Sequence, residues 1–499
     1  MSSSPEPPAK ARPAPSFPSP PGGFAPAPIQ SNRRNIELLL LGFAALLTTL
    51  SLVLVEASQE QSITWDLVKY GLAYMALFTI AHLGVRRFAP YADPLLLPIV
   101  AVLNGLGLVL IHRLDLASIE EAKFEVAECA GKPDCDVIMP DPAANQQVLW
   151  TSLALIGFLA VLVILRDYRT LARYGYTLGL CGLVLLAIPA LLPSAYSTTN
   201  GSKIWIRLPG FNVQPGEFAK ILLIIFFASI LVAKRELFTT AGKHFLGMDF
   251  PRGRDLGPIL AAWVISIGVL VFEKDLGTSM LIFSTVLTML YIATGRVGWV
   301  LIGGGLLIVG FIFAYNAFSH VRLRTDVWLD PFADPDGAGY QITQALFGLA
   351  TGGIFGTGLG NGRPNQVPLA NTDFIISTIG EELGLVGLAA VLVLYLVFIV
   401  RGLRTALAVR DSFGKLLAAG LSFTIAVQLF VVVGGVTKLI PLTGLTTPFV
   451  SYGGSSVLAN YILLALLIKI SDAARAPAPA KKSVQAPIAD APTEMLKKR

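Results

Sequence analysis

The sequence predicts an all-α polytopic membrane protein of about twelve transmembrane helices. Three observations carry this. Hydrophobic residues make up 54% of the 499-residue chain and charged residues only 14%, whereas a soluble domain carries about 25% charged residues. Mean hydropathy is +0.67. Apolar windows near the roughly 20 residues that a bilayer-crossing helix needs recur along the chain. Together these exclude a water-soluble globular enzyme, a disordered chain and a coiled coil.

Residues 1–35 are rich in Pro, Ser and Ala and hold no apolar run, so they are expected to form a disordered tail. No short apolar segment with a small-residue cleavage site opens the chain, so no cleaved leader is expected. Apolar windows place spans at 36–55, 67–85, 95–112, 148–165, 175–193 and 217–233, then at 257–273, 277–295 and 297–317, and finally at 383–402, 415–437 and 454–471. The window 257–273 is short, and its pairing with 277–295 is the weakest of these. A basic tail, 473–499, closes the chain.

Lys and Arg set the orientation. With the N-terminus in the cytoplasm, Arg86 and Arg87, Arg166, Arg169 and Arg173, Lys234 to Arg254, Arg296, Arg401 to Lys415 and the tail ending Lys497-Lys498-Arg499 all fall inside, as the positive-inside rule expects. An even number of spans returns both termini to the cytoplasm. The net charge of +6 therefore reflects membrane topology, and nucleic acid is not expected as a partner. Four outer regions are then long enough to hold chemistry: 113–147, 194–216, 318–382 and 438–453. The longest lies between the ninth and tenth spans. Cys129 and Cys135 sit in the first, as a disulfide on the oxidising face or as two free thiols. Cys181 falls in an apolar span and reads as packing.

Ionisable residues near membrane depth are costly and read as functional candidates. Asp275 lies at the outer junction of two spans. It suits a general base with a raised pKa, and it equally suits the N-cap of the helix beginning near Leu276, or a partner of Lys274. Lys203 and Arg207 flank Trp205 at one interface. Glu217 and Lys220, three apart, share a helix face. They either pair with each other, with Lys220 snorkelling outward, or form part of a cationic site for a diphosphate head group. In 320–324, Arg322 and Arg324 are expected on one side of an extended chain, where guanidinium forks suit phosphate. The run Gly352–Gly362 has no strand–turn–helix context for a nucleotide fingerprint and reads as a flexible re-entrant or interfacial loop. Glu381 and Glu382 read as interface charges at a helix start. Two prolines and three glycines in 438–456 would expose backbone polar groups, so this loop is expected to line a cavity rather than face lipid. With only 4 His and 3 Cys there is no zinc-type cluster, and no Walker motif or nucleophile elbow occurs. The energy for a reaction must come from an activated substrate.

The block Pro441-Leu-Thr-Gly-Leu-Thr-Thr-Pro-Phe-Val-Ser-Tyr-Gly-Gly-Ser-Ser456 resembles the signature of the SEDS family (shape, elongation, division and sporulation proteins). Asn200–Lys220, Asp275–Thr278, and the series Asp330-Pro331, Gly339-Tyr340-Gln341, Thr372-Asp373-Phe374 and Glu381–Gly384 resemble further family blocks in the same order. The run through Thr437-Lys438-Leu439-Ile440 is closer to the RodA elongation branch than to the FtsW division branch. The resemblance implies a ten-span core, here 95–472, preceded by two extra N-terminal spans within 36–94. Gly216 stands where the family often has Ser.

The implied activity is polymerisation of lipid II into glycan strands by inverting transfer, with Asp275 as general base and no covalent intermediate. Lys203, Arg207, Lys220, Arg322 and Arg324 are the candidate cations for the diphosphate. Glu217, Thr372, Asp373, Lys438, Ser451 and Ser455 complete the candidate substrate-binding set. A divalent cation, Mg²⁺ or Mn²⁺, would assist the leaving group, although no dedicated site is visible. The implied partners are a class B penicillin-binding transpeptidase and other elongation-machinery proteins, at the bacterial cytoplasmic membrane. The rival readings are a lipid II flippase and a non-enzymatic scaffold of the cell-wall machine.

Overall fold

The computed structural model describes residues 30–59, 65–129, 139–199, 202–208, 211–234, 243–245, 248–250, 257, 261, 263–268, 271 and 275–477. Thirteen helices frame this part of the chain: α1 (Gln30–Ser58), α2 (Trp65–Phe88), α3 (Leu96–Cys129), α4 (Ala143–Ile164), α5 (Gly175–Leu191), α6 (Pro215–Ala233), α7 (Leu276–Thr294), α8 (Gly298–Ala317), α9 (Ser319–Leu329), α10 (Tyr340–Gly352), α11 (Ile375–Ala408), α12 (Ser412–Val436) and α13 (Gly454–Arg475). Ten are long and apolar enough to cross a membrane. They are α1–α4, α6–α8 and α11–α13. The expected span at 175–193 is the shorter, 17-residue α5, and about half of 257–273 lies outside the described residues, so twelve crossings are not established. Cys129 ends α3, but its side chain, all of Cys135 and Lys274 also lie outside them. Cys181 is exposed on α5 rather than packed inside.

Local sequence sets the helix ends. Pro215 stands in the first turn of α6 with Glu217 behind it, where a missing N–H costs nothing and an acid suits the dipole. Gly295 stops α7 in the left-handed conformation, φ 68°, its N–H on the Tyr291 carbonyl. Arg86 and Arg87 close α2. The interior is a continuous apolar core in which α6, α12 and α13 are largely buried. By contrast α8 is apolar on nearly all faces and mostly exposed, as expected of a helix whose neighbour is lipid. α1 lies against α3, and α2 against α1 and α4. There buried Glu37 accepts from Arg34 and from His82 Nδ1 (2.9 Å).

The stretch from 319 to 374 is not a simple loop, since α9 and α10 fold within it. The run Gly352–Gly362 is likewise not free. It crosses α11 where Gly384 breaks the helix at φ 66° and ψ −172°. The Leu385 and Val386 N–H groups bond the carbonyls of Gly353 and Ile354 at 3.0 and 3.1 Å, and the Thr357 and Gly358 N–H groups bond those of Glu381 and Glu382 at 3.0 Å. A Cβ at Gly384 would overlap the Gly356 nitrogen, and one at Gly356 would overlap the Glu382 carbonyl. Glycine is required here by both the positive φ and the close approach. This crossing also corrects the expectation for the two acids. Glu382 is 0% exposed and accepts from Arg113 Nε of α3 at 3.1 Å, while Arg113 Nη2 bonds the Gly362 carbonyl at 2.8 Å. Glu381 accepts from the Arg363 N–H at 2.6 Å. Neither is an interface charge. Both brace the crossing from within.

Removing one partner of a buried ion pair leaves an uncompensated charge, at a cost of about 3–5 kcal/mol. Arg113→Ala is expected to destabilise the protein by that order in a detergent unfolding series. The double variant Arg113→Met with Glu382→Gln should recover most of the loss. An equal loss in both would show that the ionic character of the pair, and not its burial, holds the crossing.

Candidate active site

One end of the bundle encloses a cavity of about 760 Å³. Its walls come from α4, from two short hairpins (β1, Thr198–Thr199, with β2, Ser202–Lys203; β3, Ile206–Leu208, with β4, Phe211–Val213), from the start of α7, from α9 and from the loops 369–373 and 435–456. Aromatic faces (Trp150, Trp205, Trp328, Tyr452) alternate with polar groups. Such a lining is suited to a large amphipathic ligand.

The loop 438–453 lines the cavity, as its composition required, and its carbonyls are caught one by one. Arg324 of α9 reaches those of Leu442 (3.4 Å) and Thr443 (3.2 Å). Trp328 Nε1 donates to Lys438 O at 3.1 Å, Asn104 of α3 to Phe449 O at 3.3 Å, and Gln147 of α4 to Ser451 O at 3.3 Å. The Tyr395 hydroxyl of α11 donates to Pro448 O. Gln428 of α12 donates to Thr446 O at 2.8 Å and accepts from Lys220 Nζ at 3.1 Å. Gln428, Asn104 and Tyr395 were missed by the sequence reading. Gln428 had a signal, being a neutral amide in the middle of the apolar window 415–437.

The sequence candidates divide in the structure. Asp275, Arg324, Thr372, Asp373, Lys438 and Ser455 line the cavity. Lys203 and Arg207 do not. The same segment contributes Ser202, Ile204, Trp205 and Asn212 instead, Asn212 being the cross-strand partner of Arg207. Arg322 also lies elsewhere. Residues 319–329 are helical rather than extended, and a helix separates positions two apart by about 200°. Arg322 therefore reaches the Asn316 carbonyl at 3.3 Å and stacks over Tyr315, while Arg324 faces the cavity. Glu217 and Lys220 do pair, at 2.5 Å, but Lys220 is 2% exposed and does not snorkel. The pair lies behind the cavity wall, linked to it through Gln428. Ser451 is buried, accepting from the Thr447 N–H at 2.9 Å and donating to the Thr372 carbonyl, so it holds two cavity segments together.

Among the described residues, Asp275 and Asp373 are the carboxylates facing the cavity. Asp275 is the N-cap of α7, its Oδ1 accepting from the Thr278 N–H at 3.0 Å. Burial raises its carboxyl above the usual range, and Glu217 adds to the rise, while the Thr278 bonds and Arg324 oppose it. Asp373 is also raised by burial, opposed by the Thr372 hydroxyl (3.0 Å) and by Arg324. The cavity thus joins two carboxylates disposed to take up a proton with two cations, Arg324 and Lys438, suited to an anionic leaving group. Among the described residues no three His, Cys, Asp or Glu gather as a metal cage.

A family model described as a cell cycle protein, covering FtsW, RodA and SpoVE, matches residues 94–476. A peptidoglycan glycosyltransferase RodA from Mycobacterium tuberculosis is 61% identical over 474 residues, 95% of this chain and 98% of that one. Its counterpart from Mycobacterium leprae is 60% identical over 467 residues, 93% and 96% of the two chains. Among solved structures, a chain of a peptidoglycan synthase complex that coordinates polymerisation and crosslinking aligns with a TM-score of 0.54 at 24% identity, covering 72% of this chain and 95% of that one. The rod shape-determining protein RodA of Thermus thermophilus aligns with a TM-score of 0.51 at 22% identity, covering 76% and 96%. These last two share the fold.

The cap and the chemistry at Asp275 are separable. Asn caps a helix about as well as Asp, whereas Ala loses about 1 kcal/mol. Asp275→Asn is expected to melt within a degree or two of the parent, and Asp275→Ala measurably lower, in a thermal scan in detergent.

Proposed function

The chain belongs to the FtsW, RodA and SpoVE family of multi-pass membrane proteins, and from that premise we propose how its cavity works as a peptidoglycan glycosyltransferase. The substrate is lipid II, polymerised at the outer face of the bacterial cytoplasmic membrane, with both termini in the cytoplasm. The observation that carries this reading is the pairing of two burial-raised carboxylates with Arg324 and Lys438 in one amphipathic cavity.

A cavity carboxylate takes the proton from the acceptor sugar 4-hydroxyl as its oxygen attacks the donor anomeric carbon. The bond to the diphosphate breaks with its electron pair on the leaving oxygen, and the linkage inverts. General-base assistance of this kind contributes typically about 10²–10⁴-fold in rate. Arg324 and Lys438 offset the charge that develops on the diphosphate. Asp275 is the first candidate base. Asp373 is a second reading, favoured by a specific observation. Its carboxylate sits in a non-helical loop and caps no helix; one oxygen accepts from the Thr372 hydroxyl, as one oxygen of Asp275 accepts from the Thr278 N–H of its cap. A divalent cation would be held by one or both of these carboxylates with the diphosphate oxygens, and it would neutralise charge there. A class B penicillin-binding transpeptidase would receive the product strand.

The test is polymerisation of lipid II by purified protein with its transpeptidase partner. Asp275→Asn and Asp373→Asn are compared with the parent at several pH values. The base must be ionised, so activity holds above its raised pKa and falls as pH drops through it. The base variant should lose about 10²-fold or more and no longer show that acid limb. The other carboxylate variant should keep the limb with a smaller loss. Full activity in both variants would sink the general-base reading. Lipid II crossing liposome bilayers without strand formation would favour the flippase. No activity of any kind from the parent with its partner would favour the scaffold.

A further inference from the structure

At the end of the bundle opposite the reaction cavity lies a second cavity, of about 290 Å³, lined by Asp93, Pro94, Leu95, Arg401 and Arg475. Two guanidinium groups share one carboxylate there. Arg475 Nη2 donates to Asp93 Oδ2 at 2.6 Å and Arg401 Nη1 to the same oxygen at 3.5 Å, while the other oxygen of Asp93 accepts from the Leu95 N–H at 3.0 Å. Asp93 is 1% exposed. The side chains of Arg401 and Arg475 stand in front of it, 33% and 26% exposed respectively. The negative charge is thus covered, and the cavity mouth carries one positive charge in excess.

Three further features point the same way. Pro94 and Leu95 give the cavity an apolar wall. Arg86, Arg87, Arg404 and Arg410 stand exposed at the same end of the helices, raising the local concentration of anions. Arg475 is also fixed by Ser471 (2.6 Å), so its fork is held in place before any ligand arrives.

We propose that this cavity binds a phosphate group, with Arg401 as the ligand-facing cation and Arg475 as its fixed partner. The chemistry suits both the head group of an anionic phospholipid and free phosphate. The bland alternative is that the arginines only clamp α11 and α13 to the turn before α3, and it predicts no ligand at all. A long 3.5 Å contact leaves the Arg401 fork poorly used by Asp93, and charge-assisted bonds to phosphate are the stronger kind.

The test uses the full-length protein in detergent. Binding of short-chain phosphatidylglycerol, short-chain phosphatidylcholine and inorganic phosphate is measured by native mass spectrometry and by thermal shift. The comparison set is the parent, Arg401→Gln, Arg401→Lys and Arg404→Gln. Arg401→Gln is expected to weaken phosphatidylglycerol or phosphate binding by at least about tenfold. Arg401→Lys should restore part of it, and Arg404→Gln, an equal charge loss outside the cavity, should change it little. Phosphatidylglycerol binding that inorganic phosphate does not displace identifies the lipid as the source. Displacement identifies free phosphate. Equal weakening by Arg401→Gln and Arg404→Gln would mean diffuse surface attraction and overturn the site, as would binding of none of the probes. The unliganded melting temperature of Arg401→Gln separates lost binding from lost folding.

Discussion

Irregular backbone at the edge of a helical membrane bundle is permitted only if every carbonyl and amide finds a partner, because lipid offers none. Residues 438–453 are where this chain meets that demand, and much of the cavity follows from how it does so. Side chains from α3, α4, α9, α11 and α12 each spend a donor on this one loop. The helices are thereby registered against a common object. The polar residues that look expensive in apolar helices, Asn104, Gln147 and Gln428, are placed where the loop needs them. The cavity floor is therefore a preorganised surface, set before any substrate enters.

The same loop explains the position of the buried ion pair. Lys220 is held by Glu217 and by Gln428, and Gln428 passes the contact on to Thr446. A charge pair inside an apolar helix bundle costs desolvation. Here it is offset by the two bonds of Lys220 Nζ, to Glu217 and to Gln428, and the pair sits one residue removed from the cavity wall. Its influence on the site is electrostatic and positional: Glu217 raises the Asp275 carboxyl without touching it.

The architecture was legible in the sequence because lipid imposes a simple rule on composition, and long apolar windows report it directly. The cavity loop was legible for the same reason, since prolines and glycines at membrane depth have few places to go. What the sequence hid were partners distant along the chain. Nothing in Glu382 announces Arg113, 269 residues away, so a buried brace read as an interface charge. A period of two over residues 320–324 puts Arg322 and Arg324 on one side. As a helix the segment sends them in different directions, and only Arg324 meets the cavity. Lys203 and Arg207 belong to the hairpins beside the cavity, but Ser202, Trp205 and Asn212 meet it in their place.

The crossing of Gly384 and Gly356 has a consequence for how such a protein can diverge. With no space for even a methyl group between the two backbones, this joint cannot be adjusted by degrees, and substitution there either preserves it or abolishes it. The cavity lining is different in kind, a mosaic of amides, hydroxyls and indoles whose members can be exchanged singly without moving the frame. Ligand preference is thus free to drift over a chassis that is frozen, and variation among proteins built this way should gather on the lining and avoid the joint.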